Sequence, residues 1–342
     1  MAQIDKPNTQ FNPVIFTGNG STQSITGVNF QPDLIWIKQR NAVQNNRLID
    51  SIRGNTKEIY SDLTNAEDTL ANGITSFDSD GFSLGSSGGY NQNAGTYVTW
   101  NWLGGGTAVS NTAGSITSSV SANTTAGFSI VSYTGTGSLA TVGHGLTSAP
   151  SMIIVKKRTV VEDWMVYHKS LGATNYIKLN LIDGTFASSA IWNNTAPDSD
   201  KFYLGSSGDA NASGQTSVAY CFAEVKGFSK FGSYTGNGST DGSFVYTGFS
   251  PAFVMIKNVG TSNWTMHDNK RNPYNQVTDR LYANLSNAED VGGPYGVDFL
   301  SNGMKMRTTE STSWNGNGVT FIYMAFAEQP FVTSTKTPTT AR

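Results

Sequence analysis

Only a few side chains in the sequence have the types and spacing that catalysis needs. Gly85-Ser86-Ser87-Gly88-Gly89 matches the Gly-x-Ser-x-Gly pattern that carries a serine nucleophile. That nucleophile requires a strand, a strained turn and then a helix, whereas residues 90–95 are typical of a loop. A second copy of the pattern, Gly205-Ser206-Ser207-Gly208-Asp209, indicates a recurring turn. We therefore predict no catalytic residue at either position.

Metal ligands are equally sparse. None of the 3 histidines (His144, His168 and His267) has a second histidine one helical turn away, so we expect structural, hydrogen-bonded histidines. Asp78-Ser79-Asp80-Gly81 is similar to the start of a calcium loop, but the later acidic ligands are missing. A turn is the favoured interpretation, and a looser calcium site shared with another loop is the alternative. We predict no metal and no cofactor.

Three lysines recur at matching positions: Lys38, Lys156 and Lys257 each end a strand-like run that begins with proline. A repeated lysine invites a functional interpretation. We favour instead a charge at the end of a strand, whose stem covers apolar surface while its ammonium reaches water.

Ligand binding is the chemistry that remains. Tyr90, Trp192 and Trp314 lie in polar loops, where a flat aromatic face beside asparagine and serine suits sugars and other polar ligands. We name these three as candidate ligand-binding residues, although the favoured interpretation is that each ring packs on its own core. No pattern marks the paired carboxylates of a glycosidase. We predict that the protein is not an enzyme.

The composition predicts an all-β protein. Of 342 residues, 13% are charged, 11% are aromatic and 37 are glycine, which indicates short strands and tight turns rather than disorder. The net charge is −2 with no basic cluster, which disfavours nucleic acid as a partner. The apolar runs fall far short of the roughly 20 residues that span a bilayer, so we expect no membrane insertion. The single cysteine, Cys221, is expected to be buried.

The sequence contains an internal repeat, and several of these residues lie at matching positions in its copies. The turn Phe16-Thr17-Gly18-Asn19-Gly20-Ser21 recurs as Tyr133-Thr134-Gly135-Thr136-Gly137-Ser138 and as Tyr234-Thr235-Gly236-Asn237-Gly238-Ser239. Each copy is followed by a proline-to-lysine run, and the three runs are Pro32–Lys38, Pro150–Lys156 and Pro251–Lys257. A period of about 100 residues suits a whole domain of the size of a small β-sandwich.

We therefore predict three tandem β-sandwich domains of jelly-roll or lectin-like type. They are expected at residues 11–103, 128–226 and 227–331. Residues 104–127, rich in glycine, serine and threonine, are interpreted as a linker. Residues 1–10 and 332–342 are interpreted as an N-terminal arm and a C-terminal tail that contact partner subunits.

Several stretches resemble one family. The run Gly114–Val131, the Tyr-Thr-Gly turns, Leu285–Glu289 and the ending Phe326–Glu328 are similar to bacteriophage virion proteins, tail-fibre or tail-associated, that are common in marine phages and have no settled function. The resemblance covers residues 12–331 and implies a location in the virion with assembly around a symmetry axis. Unit one departs from the pattern because it lacks an equivalent of Trp164 and Trp264.

The resulting prediction is a phage virion structural protein, in a tail fibre or near the baseplate. It would contact a glycan or protein of the host surface through many weak, repeated contacts that gain avidity. The alternative is a capsid decoration or cement protein with a purely structural role. The expected partners are other virion proteins and further copies of the chain, with a trimer as the leading homo-oligomer.

Overall fold

Apolar, β-branched and aromatic residues dominate the segments that form strands. In the computed structural model, which describes residues 3–310 and 312–338, these segments pair into antiparallel sheets. The prediction of an all-β protein is confirmed. We refer to the strands within residues 11–102 as unit 1, those within 109–223 as unit 2 and those within 229–330 as unit 3. Among the described residues, no helix is long and apolar enough to cross a membrane.

The strands follow the repeats. A 3-10 helix at Pro7–Thr9 precedes unit 1, which contains β1 (Phe11–Thr17), β2 (Gln23–Thr26), β3 (Leu34–Gln39), β4 (Arg47–Asp50), β5 (Lys57–Tyr60), β6 (Asp68–Thr69), β7 (Ile74–Asp78), β8 (Gly81–Leu84), α1 (Gly88–Asn91) and β9 (Thr96–Trp102). Unit 2 contains β10 (Val109–Asn111), β11 (Ser118–Asn123), β12 (Phe128–Thr134), β13 (Ala140–Gly143), β14 (Pro150–Lys157), β15 (Met165–His168), β16 (Asn175–Lys178), β17 (Phe186–Ala187), α2 (Ser189–Trp192), β18 (Lys201–Leu204), α3 (Gly208–Asn211) and β19 (Thr216–Ala223). Unit 3 contains β20 (Ser229–Thr235), β21 (Phe244–Tyr246), β22 (Phe249–Asn258), β23 (Thr265–Asp268), β24 (Leu281–Tyr282), β25 (Val297–Leu300), β26 (Gly303–Met306) and β27 (Thr320–Pro330).

Each unit has a larger and a smaller sheet. The larger sheets have the orders β1-β9-β3-β4-β5-β6, β10-β11-β12-β19-β14-β15-β16-β17 and β20-β27-β22-β23-β24. The smaller sheets are β2-β8-β7, β13-β18 and β21-β26-β25. In every unit the proline-to-lysine strand lies between the closing aromatic strand and the next strand of the chain. Every residue of β3 is buried, as its continuous apolar pattern requires.

Two kinds of apolar core result. In each unit, one core contains residues of both sheets, such as Ile37 and Phe82 in unit 1. A further core contains residues of all three units, because the larger sheets also pack against one another. Its centre is a triangle of equivalent rings: Trp102 and Phe222 have centroids 6.1 Å apart, and Phe326 lies 5.7 Å from Trp102 and 6.0 Å from Phe222. The three units thus surround one pseudo-threefold centre.

The segment predicted as a linker contains two strands. β11 pairs with β12, and β10 pairs with β11, so both extend the larger sheet of unit 2. Val120, a residue of β11, is buried. The small residues that suggested a linker allow close packing instead: a Cβ on Gly105 would lie 2.4 Å from the carbonyl oxygen of Ala122.

The two segments predicted as terminal arms contact each other. The Asp5 carboxylate accepts a hydrogen bond of 2.7 Å from the Ser334 amide. The amide of Gln3 donates to the carbonyl of Lys226 at 3.0 Å. Residues 1–2 and 339–342, which belong to these predicted arms, lie outside the described residues.

Candidate functional site

The three aromatic residues predicted to bind a ligand are in the interior. Tyr90, Trp192 and Trp314 have exposed fractions of 1%, 2% and 0%. The Tyr90 hydroxyl donates to the Glu58 carboxylate, and the Trp314 ring meets His267 edge-on at 4.1 Å. These rings anchor polar loops to the core, which was the favoured of the two interpretations. The alternative, contact with a surface ligand, is wrong because the rings are buried. The loops have a polar composition because their other residues are exposed. Composition alone therefore cannot identify the one aromatic residue of each loop that is buried.

The three repeated lysines also differ from the prediction, because Lys38, Lys156 and Lys257 are fully buried. Their ammonium groups do not reach water. Each Nζ donates to a backbone carbonyl of another unit, and the pairs are Lys38 with Ser286 at 2.8 Å, Lys156 with Thr64 at 3.1 Å and Lys257 with Ile182 at 3.3 Å. The lysines therefore join unit 1 to unit 3, unit 2 to unit 1 and unit 3 to unit 2. We name these contacts junctions 3–1, 1–2 and 2–3.

Burial lowers the pKa of all three lysines, each to about 8. The cause is desolvation, which disfavours the ammonium form. At neutral pH the ammonium is still the predominant form, and carbonyl oxygens accept its protons. Because these contacts are internal, the lysines act in the fold rather than on a ligand.

Indole groups make a second contact across the junctions. Trp164 Nε1 donates to the carbonyl of Tyr60 at 2.8 Å, and Trp264 Nε1 donates to that of Lys178 at 2.9 Å. Asn46 occupies the equivalent position in unit 1, and its Nδ2 donates to the carbonyl of Tyr282 at 3.1 Å. The tryptophan that unit 1 lacks is thus replaced by asparagine, a smaller side chain that also donates to a carbonyl of another unit.

In addition to the lysines, buried networks of arginine and carboxylate groups occur at two of the three junctions. At junction 1–2, Arg53 lies 2.5 Å from Asp50 and 3.2 Å from Glu67. Asp50 also accepts a hydrogen bond of 2.8 Å from the Tyr220 hydroxyl. Paired acids and donors within the interior are typical of a satisfied structural network.

Junction 3–1 repeats this network. Arg271 lies 2.6 Å from Asp268 and 2.7 Å from Glu289. The indole of Trp100, at the position equivalent to Tyr220, donates to Asp268 at 3.0 Å. The same acid, arginine and donor are therefore used twice.

Junction 2–3 lacks the two acids, the arginine and the side-chain donor. The equivalent positions hold His168, Leu171 and Thr185 in unit 2, and Met324 in unit 3. His168 Nε2 lies 3.1 Å from the carbonyl oxygen of Tyr323, and burial lowers the pKa of His168 to about 4. A neutral histidine thus replaces the aspartate where the arginine and the side-chain donor are both gone. The acids, the arginine and the side-chain donor are absent together, because each buried charge needs one of the others as its partner.

Three buried asparagines explain the repeated Thr-Gly-x-Gly-Ser turn, and the sequence had given no reason to single them out. Their Oδ1 atoms accept backbone amides of the turn: Asn91 from Asn19 at 2.8 Å, Asn211 from Thr136 at 2.9 Å and Asn315 from Asn237 at 3.0 Å. Backbone groups at a tight turn need such partners when they are buried. The most repeated motif of the chain is therefore structural.

The other motifs have local structural roles as well. Ser87 and Ser207 precede the one-turn helices α1 and α3, a difference from the predicted loop, and Ser207 Oγ accepts the Asp209 amide at 3.2 Å. The Asp80 carboxylate accepts the amides of Gly27 and Asn29 at 3.1 and 2.7 Å. Within residues 3–310 and 312–338, no three histidine, cysteine or acidic side chains are grouped to hold a metal ion. Cys221 is buried, as predicted.

An open groove beside β20 and β21 of unit 3 is not explained by these internal contacts. Its volume is about 420 Å³, within the range of roughly 300–1,000 Å³ that is usual for small-molecule sites. It is lined by Glu224, Lys226, Gly227, Ser229, Lys230, Tyr246, Thr247, Gly248, Phe331 and Val332. We name it the Tyr246 groove.

Exposed aromatic rings distinguish this groove. Tyr246 is 59% exposed and Phe331 is 36% exposed, and Phe244, two residues before Tyr246 on the same strand face, is 47% exposed. Gly248 lies between the two groove aromatics. Its amide donates to the carbonyl of Asn302, and its carbonyl accepts a hydrogen bond from the Phe331 amide. Its φ of +84° is a conformation that favours glycine.

Charged side chains complete the lining. Glu224 binds Lys230 at 2.6 Å and also accepts a hydrogen bond from Lys169. Burial favours the protonated acid, but the hydrogen bonds from Lys169 and Lys230 outweigh it and lower the pKa of Glu224. Glu224 is therefore a carboxylate at neutral pH. The groove combines aromatic faces with ionic hydrogen-bonding groups.

Sequence reasoning missed Tyr246, although a signal was present. Phe244-Val245-Tyr246 alternates along a strand, so both rings point to the face opposite Val245. Val245 is 6% exposed and packs in the core of unit 3. The strand positions equivalent to Tyr246 hold Thr26 in unit 1 and Gly143 in unit 2. The groove aromatic is thus a departure from the repeat.

The structure is that of an all-β protein with an open surface groove lined by aromatic and charged side chains. The chain belongs to the family described as a domain of unknown function (DUF7483), whose model matches residues 6–330. This match includes the strands of all three units. Comparison with curated proteins found no match.

Proposed function

We propose that this chain is a non-enzymatic phage virion protein, located in a tail fibre or near the baseplate, that contacts the host surface. The observation that carries the proposal is the Tyr246 groove, with its exposed aromatic rings, on a β-rich body whose other motifs have internal roles. The resemblance of the repeats to virion proteins supplies the location. A host glycan or surface protein would bind at the groove.

The buried junction contacts support a structural component of a particle. One aromatic centre and three lysine contacts hold the units together. Such packing would keep the units together when force acts on the attached protein. We further propose that each unit is a β-sandwich of jelly-roll or lectin-like type. The larger and smaller sheets with a core between them support this assignment.

The proposed partners are other virion proteins and further copies of the chain. The terminal segments that meet at Asp5 and Ser334 are the proposed attachment points, because both residues are exposed there. A homotrimer remains the leading oligomer in the proposal. Sedimentation equilibrium of the purified chain measures that state directly.

Gold-labelled antibody on intact virions, viewed by electron microscopy, tests the location. Label at the distal tail or fibres is the expected result. Label over the head would reject host contact and support the alternative of a capsid decoration protein. Absence of label from virions would reject both assignments.

A further inference from the structure

The Tyr246 groove and its rim carry an excess of positive charge. Lys169, Lys230 and Lys226 supply three ammonium groups, and Glu224 supplies one carboxylate that Lys169 and Lys230 share. Within the described part of the chain, the Lys226 side chain pairs with no carboxylate, and this residue is exposed. A ligand that enters the groove therefore meets an unneutralised cation.

The aromatic rings favour a ligand with a flat apolar face. Tyr246 exposes its ring to the groove, and such rings bury large apolar areas against a partner. A pyranose ring offers C–H groups on one face and hydroxyl groups at its edge. The hydroxyl groups match the remaining polar lining, which includes the carboxylate of Glu224 and the ammonium of Lys230.

We propose that the Tyr246 groove binds an acidic saccharide, with the sugar ring on Tyr246 and its carboxylate at Lys226. The assignment rests on the proposed function, since it names the chemical class of the host ligand. A carboxylate gains a charge-assisted hydrogen bond from the ammonium, which is about twice as strong as a neutral one. Because Lys226 is exposed, salt will screen this contact.

Isothermal titration calorimetry of the full chain with oligogalacturonate and with oligosialic acid tests the ligand class. We expect at least one of them to bind, and to bind about tenfold more weakly when its carboxylates are reduced to alcohols. Lys226→Met and Tyr246→Ala should each weaken binding about tenfold. Raising the salt concentration should weaken binding to the wild type more than to Lys226→Met.

Two controls fix the interpretation. Tyr274→Ala removes a ring that is 81% exposed and lies outside the groove, and Lys270→Met removes an exposed cation outside it. Both variants should bind as the wild type does. Equal losses in the control and groove variants would overturn the assignment.

The result also separates this inference from the proposed function. If neither acidic oligosaccharide binds, but Tyr246→Ala still reduces attachment to host cells, the acidic class is wrong and surface attachment stands. If the acidic and reduced oligosaccharides bind equally, the role of Lys226 is wrong. If Tyr246→Ala changes neither saccharide binding nor host attachment, both the site and the proposed function fail.

Discussion

The junctions between units and the Tyr246 groove place similar residues in opposite settings. Both contain lysines, acids and aromatic rings. At the junctions these side chains are repeated, buried and joined to another unit, as with Lys38 and Ser286. In the groove, Tyr246 is exposed and has no aromatic equivalent in units 1 and 2. Repetition therefore identifies what the fold needs, and departure from the repeat identifies what is available to a ligand.

A second contrast lies within the junctions themselves. Two junctions keep an arginine between two acids, and the third holds uncharged residues at all of those positions. The third junction still keeps its buried lysine contact, Lys257 with Ile182. The shared apolar centre and the lysines are thus the constant part, whereas the arginine networks are replaceable as complete sets.

The largest expected effect is on stability and follows from breaking one charged set. Arg53→Leu leaves the buried Asp50 without its arginine and leaves Glu67 with Arg158 as its remaining partner, which should cost about 3–5 kcal/mol in the free energy of unfolding. Urea denaturation measures the loss. Thr185→Ala at junction 2–3 is the matched control, with an expected change below about 1 kcal/mol.

Replacing the whole set sharpens the same comparison. When the residues around Arg53 are changed to those of junction 2–3, we expect the variant to recover about half of the free energy of unfolding that Arg53→Leu loses. The reason is that no unpaired buried charge is left. Arg158 lies 2.9 Å from Glu67 and corresponds to Val259 at junction 2–3. The combined variant therefore carries Asp50→His, Arg53→Leu, Glu67→Thr, Arg158→Val and Tyr220→Met. A combined variant less stable than Arg53→Leu alone would show that the networks are not interchangeable.

The turn-holding asparagines should have the next largest effect. Asn91→Ala removes the acceptor of the Asn19 amide and the donor to the carbonyl of Gly85, at an expected cost of about 1–3 kcal/mol. Asn211→Ala and Asn315→Ala should behave alike. Asn65→Ala, at an exposed position, should change stability by less than about 0.5 kcal/mol in the same denaturation experiment.

The buried lysines predict an unusual pH dependence. Their folded pKa of about 8 lies below the unfolded value of 10.5, so the unfolded chain binds more protons between these values. Stability should therefore rise from about pH 8 to pH 10, by on the order of 1 kcal/mol per lysine. Above pH 10 the buried tyrosines reverse the trend, because burial raises their pKa values.

Lys257→Met tests the source of this pH dependence. The variant should lose about a third of the rise in stability between pH 8 and pH 9.5, because two of the three lysines remain. Denaturation midpoints at several pH values give the slope. An unchanged slope would contradict the assignment to the lysines.

The sequence predicted the parts that depend on local pattern. The repeats, the strands and the burial of Cys221 follow from periodicity and apolar runs. The burial of Lys38 could not be predicted in this way, since its carbonyl partner Ser286 comes from another unit. The pseudo-threefold centre formed by Trp102, Phe222 and Phe326 is likewise a product of packing between distant segments.

The candidate site was the least predictable part. Loop composition led to Tyr90, Trp192 and Trp314, which are core residues. The exposed Tyr246 lies on a three-residue strand, and its alternation with Val245 was the available clue. Phe331 could not be placed from sequence, because the groove forms only where the chain end meets Gly248.

The most direct test of the account compares attachment of labelled protein to host bacteria by flow cytometry. Tyr246→Ala should change the free energy of unfolding by no more than about 0.5 kcal/mol, yet reduce attachment at least tenfold. Tyr274→Ala and Asn91→Ala, the latter measured where it is fully folded, should attach as the wild type does. Full attachment by Tyr246→Ala, or an equal loss in Tyr274→Ala, would contradict the claim that the unrepeated groove recognises the host.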